Sequence, residues 1–168
     1  MGTSEFEDAF EDEGRIRGAI LNEPIRALEP RTPVCVRPQA NLREAIEAMN
    51  LAKVGCVLVT AGETLAGILT ERDILRHVVG KVELETTVEQ VMTRNPETVR
   101  MADGIAVALN KMSQGGYRHI PVVDDAGRPI GMVSVRDFVR FIVSLFPASV
   151  LNLPPEPSLG IARSPEGA

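Results

Sequence analysis

Two rhythms alternate along the chain, and each predicts an element. Leu42, Ala45, Ile46 and Met49 recur at the spacing of one helix face, and Asn41 followed by Glu44 reads as the start of that helix. Val34-Cys35-Val36 just before it is a short apolar run, the signature of a brief strand. After it, Gly55–Thr60 and Leu65–Leu69 are two apolar runs around Ala61-Gly62-Glu63, which is a hairpin signal. From Thr70 the period returns to that of a helix, with Ile74, Leu75, Val78 and Val79 on its apolar face and Gly80 as its stop. The stretch spells β-α-β-β-α.

The same order is then written again. Val99 ends a short strand, Asp103 stands where a cap belongs, Ala106, Leu109 and Met112 mark a helix face, and Gly115-Gly116 ends it. Ile120–Asp124 and Pro129–Val133 flank the turn Asp125-Ala126-Gly127-Arg128, and a helix from Ser134 buries Phe138, Val139, Phe141, Ile142 and Leu145. The repetition is in register: Gly67-Ile-Leu-Thr70-Glu-Arg72-Asp73 returns 64 positions later as Gly131-Met-Val-Ser134-Val-Arg136-Asp137. A duplicated unit of about 50 residues is too small to bury a sufficient core alone, so the two copies must pack on each other as a pseudo-twofold pair. The fold class expected is α+β. Its divisions are an acidic flexible opening (1–14), a helical segment kinked at Pro24 (15–29), a first unit (30–84), a second unit (85–146) opened by a short linking helix from Thr86 or Thr87 to Met92, and a proline-rich tail (147–168).

Composition removes several classes of function. A net charge of −5 with one Tyr, no Trp and five Phe provides neither the basic stripe nor the stacking platform of a nucleic-acid binder. No apolar run reaches the roughly 18 residues of a membrane helix, and the acidic opening is the opposite of a targeting peptide, so a cytoplasmic protein is expected. Cys35 and Cys56 sit in apolar runs as small hydrophobes, and with only two histidines there is no ligand spacing for zinc. No metal is expected. No nucleophile elbow and no phosphate-cradling glycine loop is present, so no catalytic residue is assigned and the chain is read as a non-enzyme.

The repeated polar cluster carries the candidate chemistry. Thr70/Asp73 and Ser134/Asp137 have the spacing of helix caps, and that structural reading accounts for either pair taken alone. Doubled at two strand-to-helix turns, each carboxylate can also accept both hydrogen bonds of a cis-diol, the handle of a ribose. The strand edges around Val34, Cys56, Val57, Ile120 and Pro121 offer an apolar slot, and Arg118-His119 beside two glycines supplies donors for a phosphate. The first copy has Val54-Gly55 where the second has Arg118-His119, so the two sites are expected to bind phosphate unequally. Arg72 and Arg136, just before the two aspartates, either reach a phosphate bound at the neighbouring copy or form surface ion pairs worth little, and the second reading is preferred.

With Tyr117-Arg-His-Ile-Pro-Val-Val-Asp124 and Val91-Met-Thr-Arg-Asn-Pro96 added to the doubled cluster, the chain resembles the tandem cystathionine-β-synthase (CBS) domain pair, or Bateman module, in its stand-alone form. The resemblance spans about residues 28–146 and implies two βαββα units with adenosine ligands (AMP, ADP, ATP or S-adenosylmethionine) in the clefts between them. By the same resemblance Thr70, Asp73, Ser134 and Asp137 hold ribose, Val34, Cys56, Val57, Thr98, Ile120 and Pro121 enclose adenine, and Arg118 and His119 meet phosphate. It further implies a flat homodimer formed through the helices that follow the hairpins, and a regulatory protein that passes ligand state to an effector. The rival expectation is a dimeric scaffold indifferent to ligand.

Overall fold

A computed structural model describes Gly18 and residues 23–145. The acidic opening, most of the expected helix over 15–28 and the proline-rich tail lie outside the described residues. Strand β1 (Cys35–Val36) leads to helix α1 (Leu42–Ala52), strands β2 (Cys56–Ala61) and β3 (Thr64–Thr70), and a short helix α2 (Glu71–Asp73). Strand β4 (Thr93–Arg94), helix α3 (Ile105–Gly115), strands β5 (His119–Val123) and β6 (Pro129–Ser134), and helix α4 (Val135–Leu145) follow.

Three expected elements are corrected. The helix from Thr70 to Val79 is α-helical only at Glu71–Asp73 and continues as a π turn over Ile74–Val78, which buries Val78 but leaves Leu75 and Val79 exposed. The linking helix contracts to a 3-10 turn at Val88–Gln90, and Ile25–Leu28 forms a matching turn instead of the end of a long helix. Asp103 does not cap α3. Its carboxylate accepts from Arg100 N at 2.8 Å, and the N-cap is Gly104. Along α4, Phe138 is buried and Phe141 partly so, while Val139, Ile142 and Leu145 remain exposed.

The first sheet has the order β1-β2-β3-β4, with β1 parallel to β2 and the other pairs antiparallel. In the second unit β5 and β6 form the hairpin, flanked by single bridges of Val99 (parallel, to Val122) and Arg31 (antiparallel, to Met132). The edge strands have changed places. Thr93–Arg94, which opens the second copy, pairs with the first unit's hairpin, while Arg31, which precedes the first copy, pairs with the second's.

The 3-10 turns are exchanged in the same way. Leu42 N at the start of α1 donates to Thr86 O (3.0 Å), and Ile105 N at the start of α3 donates to Glu23 O (2.8 Å). Ile25 and Leu28 lie in the core of the second unit with Ile105, Ile120, Val133 and Phe138. Val88 and Met92 lie in the core of the first with Leu42, Val57, Leu69 and Val78. A third cluster, Cys56, Leu58 and Ile68 packed with Met132, joins the two units. The exchange explains the repeated glycines. A Cβ on Gly67 would fall on Met92 Sδ and reach Thr93 O at 3.0 Å, and one on Gly131 would meet Pro30 Cβ at 2.8 Å. Both glycines leave room for the crossing segment, not for a ligand.

Candidate functional site

Each strand-to-helix turn is held by its own carboxylate. At the first, Thr70 N and Thr70 Oγ1 both donate to Asp73 Oδ2 (2.9 and 2.7 Å), and Asp73 N returns a bond to Thr70 Oγ1. At the second, Ser134 N and Ser134 Oγ donate to Asp137 Oδ2 (2.8 and 2.6 Å). The reciprocal cap closes at the first turn, while at the second only the carboxylate half forms, and at both the cap occupies only one carboxylate oxygen. Asp137 is the one buried charged residue among those described; its Oδ1 faces Arg140 Nη1 at 3.3 Å and Arg31 Nε at 3.8 Å. Asp73 has no cationic partner among the described residues.

Asp137 opens onto a cleft of about 570 Å³ between the units. One wall carries Val34, Cys56, Val54-Gly55 and Met49 of the first unit; the opposite wall carries Arg118, His119, Met132, Ser134 and Arg136 of the second. Lys53 and Glu71 stand on the lining as well, with Arg31. The cleft thus gathers six of the expected site residues, namely Val34, Cys56, Arg118, His119, Ser134 and Asp137. Thr70, Asp73, Val57, Thr98, Ile120 and Pro121 are not on its walls. Val57 and Ile120 are wholly buried in the two cores, and Thr98 O accepts from Lys111 Nζ (2.9 Å).

The two arginines after the hairpins also depart from the surface-pair expectation. Arg136 lines the cleft, and Arg72 Nη1 donates across the units to Gly116 O (2.9 Å). Sequence reading missed Lys53. It is the C-cap of α1 and holds φ 53°, the left-handed region that favours glycine, and the matching C-cap of α3 is Gly116 at φ 65°. A lysine at a glycine-type position was the available signal.

His119 lies against Gly55: a Cβ on that glycine would sit 3.3 Å from both His119 Cε1 and Glu71 Oε2. Burial holds the His119 imidazole below its usual value; Glu71 and Asp137 pull it up, and Arg118 and Arg136 push it further down. It is therefore a neutral donor-acceptor at pH 7. Burial pushes the Cys56 thiol up to about 12, which leaves an uncharged apolar wall.

A cleft closed by two βαββα units that have exchanged their leading segments defines a class, the duplicated α+β pair with an inter-unit site. The chain belongs to the CBS domain family, whose sequence profile matches residues 25–80 and 88–144, and it is a tandem pair of those domains. A CBS domain-containing protein of Arabidopsis thaliana is 33% identical over 127 residues, covering 74% of this chain and 21% of that protein. A CBS domain protein from Pyrobaculum aerophilum complexed with AMP is similar at a TM-score of 0.67 and 28% identity, covering 75% of this chain and all of that one. A CBS domain pair in complex with 5′-methylthioadenosine and S-adenosylmethionine gives a TM-score of 0.61 at 25% identity, covering 74% and 93%. The chain spans between about a fifth and a half of the length of the first curated relatives it matches. Among the described residues no helix is long and apolar enough to cross a membrane.

Proposed function

We propose that this chain is a non-catalytic regulatory module that binds an adenosine ligand in the inter-unit cleft and passes its occupancy to a protein effector. The observation that carries this reading is Asp137, a buried carboxylate with one oxygen spent on the turn and the other turned to paired arginines at the cleft. A ribose diol can take the place of the longer of those pairings. The apolar wall of Val34 and Cys56 suits a purine face, and Arg118, Arg136 and Lys53 suit an anionic substituent. The complexes of relatives with AMP and with S-adenosylmethionine support the same ligand class.

Signalling would follow from differential affinity of the ligand for two arrangements of the units. The exposed apolar residues Leu75, Val79, Val139 and Ile142 support a homodimer formed through the helices after the hairpins; sedimentation velocity tests it.

Isothermal titration with adenosine, AMP, ADP, ATP and S-adenosylmethionine tests the ligand reading. Asp137→Asn keeps an acceptor for Ser134 but removes the charge, and should weaken every adenosyl ligand about ten- to a hundredfold. Silence of the wild-type chain toward all five at millimolar concentration would leave the ligand-independent scaffold standing instead.

A further inference from the structure

Besides Asp137, the lining of the cleft carries one acid, a residue of the wrong sign for an anionic ligand. Lys53, Arg118 and Arg136 line the cleft with the neutral His119, and Glu71 lines it too, close enough with Arg118 and Arg136 to act on the His119 ring. Glu71 is rooted there by its backbone, since Glu71 N donates to Gly55 O at 3.0 Å, and its Oε2 lies within 3.3 Å of the point where a Gly55 Cβ would be, as does the His119 ring. Among the described residues its carboxylate has no ion pair and no hydrogen bond. The corresponding position in the second copy, 64 residues on, is Val135, so the turn itself does not require an acid. Gly55 is what admits the carboxylate, because a side chain there would crowd both Glu71 and His119.

The charges set a limit on the ligand. Four cations, Arg31, Lys53, Arg118 and Arg136, and two carboxylates, Glu71 and Asp137, leave the lining with two net positive charges, which matches one phosphate dianion. A second or third phosphoryl group brings charge that finds Glu71 instead of a further cation. A sulfonium ligand would bring its positive charge into a lining that is already net positive.

We propose that Glu71 is a specificity-determining residue that restricts the cleft to adenosine monophosphates over the di- and triphosphates. This rests on the reading of the cleft as an adenosine site, and the experiment separates the two. The full chain and its Glu71→Gln and Glu71→Asp variants are titrated with adenosine, AMP, ADP and ATP. The wild type should bind AMP more tightly than ADP or ATP. Glu71→Gln should move the AMP-to-ADP affinity ratio about tenfold toward ADP, with adenosine unchanged, a change expected from a neighbouring charge removed at a partly solvated site. Glu71→Asp should retain the wild-type order. An AMP-to-ADP ratio unmoved by Glu71→Gln, with AMP still bound, overturns the role of Glu71 and leaves the adenosine site intact. Loss of adenosine affinity equal to that of AMP would make Glu71 a structural residue and overturn it too. Failure of the wild type to bind any of the four overturns both readings.

Discussion

Lys53 holds a backbone conformation that glycine adopts freely in the other copy, at Gly116. A strained residue is retained when its side chain has a use, and this one reaches the cleft. Lys53→Gly should therefore raise stability by about 1 kcal/mol in chemical denaturation while weakening nucleotide relative to adenosine. A loss of stability would show that the lysine is held by packing instead. His119 gives a pH signature. Its folded-state proton affinity lies below the usual 6.5, so the unfolded chain takes up the proton first. Stability is unaffected by this group above that value, begins to fall as pH drops through 6.5, and stops falling below the folded-state value. Thermal melts between pH 7.5 and 5.5 should show the loss, and His119→Gln should flatten it; an unchanged slope would assign the acid sensitivity elsewhere. At this scale the sequence was most informative where residues repeat. Ser134 and Asp137 could be placed because their partners 64 residues away share the spacing. Glu71 and Lys53 could not, because their importance comes from what faces them across the cleft, and spacing along one chain does not record that.

Among the elements, the hairpins and the helices α1, α3 and α4 were legible because each carries its own period. The exceptions are instructive. Thr70–Val79 has the apolar spacing of a helix, but the observed π turn follows Asp73 and shifts which apolar side chains meet the core, so Val78 enters it and Leu75 does not. The turns at Ile25–Leu28 and Val88–Gln90 have too few residues for a period, and their structure is imposed by the unit they join. The glycines of the repeated cluster belong to this scale. Gly67→Ala should cost about 1–3 kcal/mol in chemical denaturation, since the new methyl group meets Met92 and the Thr93 carbonyl. Gly131→Ala should cost as much or more, because it meets Pro30 Cβ at 2.8 Å, in a ring that cannot swing aside as the Met92 side chain can. Equal and negligible costs would mean that the crossing segments are loosely seated.

For the whole molecule, the repeat foretold a mutually packed pair but not the reciprocity of its construction. The residues that pass from one unit to the other lie before the recognisable repeat, where alignment of the two copies is weakest. Their consequence is testable by division. A cut between Leu84 and Glu85 takes Val88 and Met92 from the first core and Ile25 and Leu28 from the second. Neither piece should show a cooperative melt by circular dichroism alone, while mixing them should restore one, since each leading segment can then reach the unit whose core it completes. A cooperative transition in either piece alone would show that the exchanged side chains are dispensable.

The exchanged leading segments also bear on how the two copies came to differ. A single copy meeting an identical copy can make the same exchange, forming a noncovalent pair in which any change appears twice and must suit both seats. Joining the copies in one chain removes that obligation while keeping the interlock. Lys53 opposite Gly116, Glu71 opposite Val135, and Gly55 opposite His119 are substitutions of this kind, each present on one side only. Fusion thus lets one cleft acquire a chemistry of its own, and the price is that neither half can any longer be inherited, or replaced, without the other.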